Sequence, residues 1–465
     1  MKKFILIRYL SAVLLFFPAA FLAAETPVFS CALFFIMALS QCIFIYLERR
    51  SIVDLTLLFS ASWLSGIALS VLKLSKLQHP WGVKMWAAVG IAYFGLHLMR
   101  DLFDHFMKKR EKAAEENMEE KAAPLFSEAE ARRILEAVGI VLVLGLLSFG
   151  LEAVKFRFEL PILSKKPHMY SEFHITGVHY FVVSVIFIPM LSFLYLYGRK
   201  PKAGTLIFLF IANMAAFVIP VLILSKYQLM ITILMPFILL FLTASKKMRR
   251  KLYLMLPILI AVLAAVFLFL VLRRHYPKNY LVKLFCFKDP EKPVWFQYIY
   301  MYIVNNFENL NLLTENLQSF SFGIRGLFPL FALTGTKFLP AVQQLMTVEQ
   351  YLTVQELTTV SMIYDAYGDF GLPGVFVLSS LLGIVISYLS VLIRRRRMLG
   401  YLLYAQFGIY MLLSFFTTWF SNPTVWFYFI ASFVIALYVT RPEKRFRFSL
   451  KEVFLPRVED EGGHS

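Results

Sequence analysis

Apolar runs of about 20 residues, each long enough to cross a bilayer as a helix, recur along most of this chain. They fall near 5–24, 28–47, 53–72, 84–100, 134–152, 178–197, 205–224, 229–245, 252–272, 372–393, 399–420 and 423–440. Of the 465 residues, 59% are hydrophobic and only 16% charged, more apolar surface than a soluble core can hold. Hydrocarbon offers the backbone no hydrogen-bond partner, and helices satisfy it internally. The expected fold is therefore an all-α polytopic integral membrane protein of about 12 transmembrane helices.

The formal charge of +18 does not point to nucleic acid, because the basic residues are clustered beside the apolar runs. "ERR" at 48–50, "MKKREK" at 107–112, "GRKPK" at 198–202, "SKKMRRK" at 245–251, "RRRR" at 394–397 and "RPEKRFR" at 441–447 follow every second run. With the opening "MKK" inside, every cluster is cytoplasmic and so are both termini. The first 26 residues resemble a secretory signal, and with so many spans following they are read as a retained first helix. Cys31 and Cys42 share one apolar run and Cys286 is remote, so neither a disulfide framework nor a paired metal-ligand spacing is available.

This divides the chain into helices 1–4 (1–100), a cytoplasmic helical linker (101–133), helices 5–9 (134–272), an extracytoplasmic loop (273–370), helices 10–12 (371–440) and a cytoplasmic tail (441–465). The linker alternates Lys and Glu and ends in a Ser127-x-x-Glu130 capping box. No internal repeat relates the two halves of the chain, which argues against transporters built from repeated halves. In the outer loop, Ile299, Ile303, Leu310, Leu313, Leu317 and Phe320 share one side of a helix, with Asn305, Asn306, Glu308, Asn309, Thr314, Glu315 and Asn316 between them. Such a helix would lie in the membrane surface with its polar face toward water, and packing on the tops of the spans is an alternative compatible with that.

No Gly-rich phosphate loop, nucleophile elbow or His/Glu metal pair at helical spacing is present, and no metal or cofactor is expected. The chemistry available is cationic and carboxylate. The run "RRHYPKNYLVKLFCFKDPEKPVW" at 273–295 puts positive charge on the outer face, where topology disfavours it but a long loop tolerates it. Arg273 and Arg274 leave the ninth helix at headgroup depth, and guanidinium forks match phosphate oxygens. Nonspecific pairing with anionic lipid is the simpler reading. Arg325 and Lys337 lie further along the same loop, and Lys226 sits in the tight outer turn of "ILSKYQLM", snorkelling or touching phosphate.

In "SMIYDAYGDFGLPG", 361–374, Asp369 has the position of an N-cap for the next span. Asp365 has no such explanation; among apolar and aromatic neighbours it is a candidate base. His275 follows the arginine pair, and His174 and His179 stand near the outer mouth of the sixth helix. His97 reads as structural, and Arg8 and Glu136 as snorkelling residues near span ends.

The many spans, the large outer loop before the last three helices, "YIYMYIVNNFENLNLLTENLQSFSFG", "SKYQLM" and above all "YGDFGLPG" together resemble the Wzy-type O-antigen, or oligosaccharide repeat-unit, polymerases. The resemblance extends over roughly 200–440, and the first half agrees in hydropathy alone. Asp369, Gly371 and Gly374 match the family's motif, while Lys226 stands where the family often has arginine. The resemblance implies a GT-C-like polymerase/ligase architecture in the bacterial cytoplasmic (inner) membrane. It implies transfer of a growing glycan from undecaprenyl diphosphate to a lipid-linked repeat unit at the outer face, without nucleotide sugar or metal. The partners implied are the undecaprenyl-diphosphate-linked oligosaccharide, membrane lipids, a chain-length regulator and a flippase. Arg273, Arg274, Arg325 and Lys226 are then the candidates for diphosphate binding, with Asp365, His275 and Asp369 as the candidate catalytic residues. A lipid-saccharide flippase and an O-antigen ligase are the alternatives.

Overall fold

The computed structural model describes residues 2–111, 125–166, 169–272 and 278–441. Among them all regular structure is helical, with no strand. The helices are α1 (Lys2–Leu22), α2 (Pro27–Arg49), α3 (Leu55–Ser70), α4 (Val83–Glu111), α5 (Glu128–Lys155), α6 (Met169–Glu172), α7 (His179–Val183), α8 (Phe187–Leu196), α9 (Ala203–Leu222), α10 (Lys226–Thr243), α11 (Lys246–Leu272), α12 (Lys278–Phe285), α13 (Val294–Asn316), α14 (Ile324–Leu333), α15 (Pro340–Leu345), α16 (Tyr364–Arg394), α17 (Met398–Leu412) and α18 (Pro423–Thr440). Among the described residues nine helical segments are long and apolar enough to cross a membrane: α1, α2, α5, the α7–α8 run, α9, α10, α11, α16 and α18. The chain is a multi-pass membrane protein. α3 and α17, expected as full spans, have 16 and 15 helical residues.

The chain forms two compact units. The first draws on Met1–Ala114, Ala264–Ser387 and Phe407–Trp426. In α1, Leu6, Leu10, Leu14, Phe17 and Phe21 form an exposed apolar stripe suited to hydrocarbon, while Ala12, Phe16 and Ala19 face the interior. Arg8 corrects the expectation of snorkelling. It is 2% exposed and forms ion pairs with Glu48, at 3.3 Å, and with Asp101. Arg49 reaches Asp104 at 2.6 Å and Arg100 reaches Asp54 at 2.6 Å, so guanidiniums and carboxylates from α1, α2, α4 and the start of α3 neutralise one another. Asp54 also caps α3, accepting from the Thr56 backbone N–H at 3.0 Å. His97 is buried against the Ser60 hydroxyl at 2.9 Å, the structural role expected for it.

The amide-rich helix α13 packs on α3, α4 and α12. Its polar residues do not turn to water: Asn305, Asn306, Glu308, Asn309 and Thr314 are buried, and Glu315 and Asn316 are exposed. The expectation of a solvated polar face fails because partners from two loops cover it. Glu308 accepts from the Trp81 indole N–H at 2.9 Å and the His79 backbone N–H at 3.0 Å, and it pairs with Lys73. Burial draws the Lys73 ammonium below its usual range, and the Glu308 carboxylate pulls the other way.

The second unit draws on Glu115–Leu263, Tyr388–Gln406 and Phe427–Ser465. Here α5 packs against α7, α8 and α9, and α10 against α8 and α9. The capping box at the start of α5 forms as the sequence indicates. The Glu130 N–H donates to Ser127 Oγ at 3.3 Å, and the Ser127 N–H donates to Glu130 Oε2 at 2.8 Å. Deeper in this unit the Tyr428 hydroxyl donates to Gln228 Oε1 at 3.0 Å. His179 meets the buried Glu152 carboxylate at 3.1 Å, and Glu136 accepts from the Tyr438 hydroxyl at 2.6 Å.

Candidate functional site

The polar cluster that best fits chemistry lies in the first unit, where the start of α16 meets α14. Helix α16 begins at Tyr364 and breaks at Gly371, whose φ of 64° and ψ of −146° are open to glycine and strained for other residues. The short helical piece before this break carries Tyr364, Asp365 and Asp369, and the membrane span continues after it. Gly368 faces Arg325 so closely that a Cβ there would lie 2.6 Å from Nε. These two glycines of "YGDFGLPG" therefore serve the bend and the seat of Arg325.

Asp369 is buried, but it does not cap its own helix. Its Oδ1 accepts from the Arg325 backbone N–H at 3.1 Å and from the Ser321 hydroxyl at 2.6 Å, and its Oδ2 accepts from the Gly326 backbone N–H at 2.8 Å. The carboxylate thus satisfies the orphan donors and positive end of α14. Its lone pairs are committed there, a positioning role for a residue expected among the catalytic candidates.

Arg325, at 9% exposure, is held by neutral partners. Nε donates to Ser321 Oγ at 3.2 Å and Nη2 to the Glu349 carbonyl at 2.6 Å, while the guanidinium lies 5.8 Å from the centre of the Tyr364 ring. Among the described residues no carboxylate forms an ion pair with Arg325, and Nη1 has no hydrogen-bond partner. Asp365 feels the Arg325 charge without pairing with it, so an anionic ligand at Nη1 would be the direct partner of the guanidinium. Arginine keeps its charge in such a place and offers paired donors to phosphate.

Asp365 is half-buried, with the Thr418 and Ser421 hydroxyls near it and the charges of Arg325 and Asp369 acting on it. Beyond Arg325, the Tyr351 hydroxyl donates to Glu349 Oε2 at 2.6 Å, which holds the Tyr351 phenol above its usual range.

On the other side of the cluster stand exposed aromatics. Phe322 is 75% exposed and meets Phe320 and Phe370 edge-on, at 6.5 and 6.4 Å between ring centres. Leu327, Leu330, Phe338, Leu339 and Leu345 are exposed as well. The apolar face of α16 beyond the break, Phe376, Val377 and Leu381, is exposed in the same way.

Of the sequence candidates, Arg325, Asp365 and Asp369 come together here. Lys226 belongs to the second unit, buried at the first position of α10 behind the Ser225 cap. Arg273, Arg274 and His275 lie outside the described residues. Ser321, Tyr364, Thr418 and Ser421 were not singled out from the sequence. Tyr364 adjoins the "YGDFGLPG" motif and was within reach of that reading, whereas the hydroxyl residues carry no sequence signal. Comparison with protein-family models, with curated proteins and with solved structures finds no match to this chain.

Proposed function

We propose that the protein is an oligosaccharide repeat-unit polymerase. It transfers a growing glycan from undecaprenyl diphosphate to a lipid-linked repeat unit at the outer face of the bacterial cytoplasmic membrane, in surface polysaccharide synthesis. The observation that carries this reading is Arg325: a buried guanidinium without an ion pair at the head of a membrane span, bordered by Asp365 and by exposed aromatic residues. That combination suits a ligand with an anionic head and a hydrocarbon tail. The "YGDFGLPG" resemblance supplies the glycan.

In this reading the acceptor hydroxyl oxygen forms a bond to the anomeric carbon of the donor as the bond from that carbon to the diphosphate oxygen breaks. The electron pair leaves with the diphosphate, and the proton passes to Asp365, with His275 as the alternative base. Arg325 meets the charge that grows on the leaving group, so it favours the transition state over the ground state. Arg273 and Arg274 are assigned to that anion on sequence grounds alone. Asp369 supports Arg325 through α14. The proposal includes α3, α4 and α17 as the remaining spans of a twelve-helix, GT-C-like protein with both termini cytoplasmic, since their positions agree with the alternation of basic loops.

The test is purified protein in liposomes given lipid-linked repeat units and nothing else. A ladder of extended products supports a polymerase. Unchanged substrate indicates a ligase, which needs a different acceptor, or a flippase, and either result overturns the proposal.

A further inference from the structure

Arg325 is fixed by more than its own neighbours. The Glu349 carbonyl that takes Nη2 belongs to an irregular strap, 349–359, with no regular structure to hold it in place. Two buried amides of α13 hold it instead. Asn309 Oδ1 accepts from the Thr353 backbone N–H at 2.8 Å, and its Nδ2 donates to the carbonyls of Leu357 and Thr359, both at 2.9 Å. Asn305 Oδ1 accepts from the Thr353 hydroxyl at 2.7 Å, and its Nδ2 donates to the Leu357 carbonyl at 3.2 Å. On the opposite side the Tyr364 hydroxyl accepts from the Tyr351 N–H at 2.9 Å and donates to the Tyr351 carbonyl at 3.2 Å, while its ring lies beside the guanidinium.

An amide carries donor and acceptor on one short side chain, so it can pair with both polar groups of a passing backbone. Asn305 and Asn309 are one helical turn apart and grip the strap at neighbouring points. We infer that Asn305 and Asn309 are positioning residues for Arg325: they set the course of the 349–359 strap, the strap sets the Glu349 carbonyl, and the carbonyl orients the guanidinium with Nη1 left for a ligand. The identity of that ligand rests on the polymerase reading; the coupling from α13 to Arg325 does not.

The test uses full-length protein in lipid nanodiscs, as wild type and as Asn309→Leu, Asn309→Asp and Tyr364→Phe. Three quantities are measured: hydrogen exchange of the 349–359 segment, the rate at which phenylglyoxal modifies Arg325, and chain extension with kcat and KM separated. Asn309→Leu removes three hydrogen bonds and should raise both strap exchange and Arg325 modification by about tenfold or more. Asn309→Asp keeps the acceptor for Thr353 and should fall between. Tyr364→Phe frees the strap from the other side while keeping the ring, so it carries the test if Asn309→Leu does not fold. Exchange and modification that rise together support the inference. Faster exchange with an unchanged Arg325 rate, or no change in either, overturns it. A wild type that makes no polymer yet shows the coupled rise removes the polymerase reading and leaves the positioning intact.

Discussion

The Asp369 carboxylate receives the backbone N–H groups of Arg325, 44 positions away in sequence, and of Gly326, at 3.1 and 2.8 Å, so a residue of α16 caps the first turn of α14. The bond ties the anion-binding candidate to the bend at Gly371. Asp369→Ala leaves the Arg325 and Gly326 backbone donors without an acceptor, while the Ser321 hydroxyl keeps the Gly368 carbonyl at 3.2 Å; the loss should be about 2 kcal/mol and lower the Tm of the detergent-solubilised protein. Asp369→Asn retains one acceptor oxygen and should lose less. An unchanged Tm for Asp369→Ala means that the cap does not hold α14.

Glu308 and Lys73 provide a second test, remote from the proposed chemistry. Glu308 is 1% exposed and serves three donors, so Glu308→Ala strands a half-buried ammonium, an indole N–H and the His79 backbone N–H. The expected loss is about 3–5 kcal/mol. Replacing both partners in Lys73→Met/Glu308→Leu removes the stranded charge and should recover part of that loss. Thermal unfolding of the two single variants and the double variant measures the coupling, and additive effects would show that the pair does not act as a unit.

The exposed residues of 320–345 are expected to lie in the outer interfacial layer of the bilayer, because Phe322 meets Phe370 at the head of a span. An environment-sensitive fluorophore on Phe338→Cys, in a protein with Cys31, Cys42 and Cys286 replaced, should emit to the blue and be quenched by brominated lipid. Strong quenching by aqueous iodide and none by lipid would put this segment in water.

Among the described residues, nine of the twelve expected spans were readable because burial in hydrocarbon demands about 20 consecutive apolar residues, and that demand is local in sequence. The capping box at Ser127 and Glu130 is local too. The surroundings of α13 were not readable. Periodicity places Asn305, Glu308 and Asn309 near one another on the helix, but what covers them arrives from 71–82 and 349–359, segments with no periodic signal. Arg8 looked like a snorkelling residue for the same reason, since its carboxylates come from α2 and α4. At the site, Arg325, Asp365 and Asp369 stood out as charges near apolar runs. The partners that decide their roles are a carbonyl, a phenol and three hydroxyls, groups too common to mark a sequence. Asp369 looked like the cap of its own helix because the span starts just beyond it, and the glycine break sends its carboxylate to α14 instead.

The role of Arg325 is tested most directly by the binding of a water-soluble short-chain polyprenyl diphosphate to nanodisc-embedded protein, wild type against Arg325→Ala and Arg325→Lys. Arg325→Ala should weaken binding at least tenfold, the loss of about 1.4 kcal/mol or more expected for a charge-assisted contact, with a smaller effect on the matching neutral alcohol. Arg325→Lys should fall between, because an ammonium keeps the charge but not the fork. Equal affinity for the diphosphate in wild type and Arg325→Ala would contradict the assignment of this guanidinium to the leaving group.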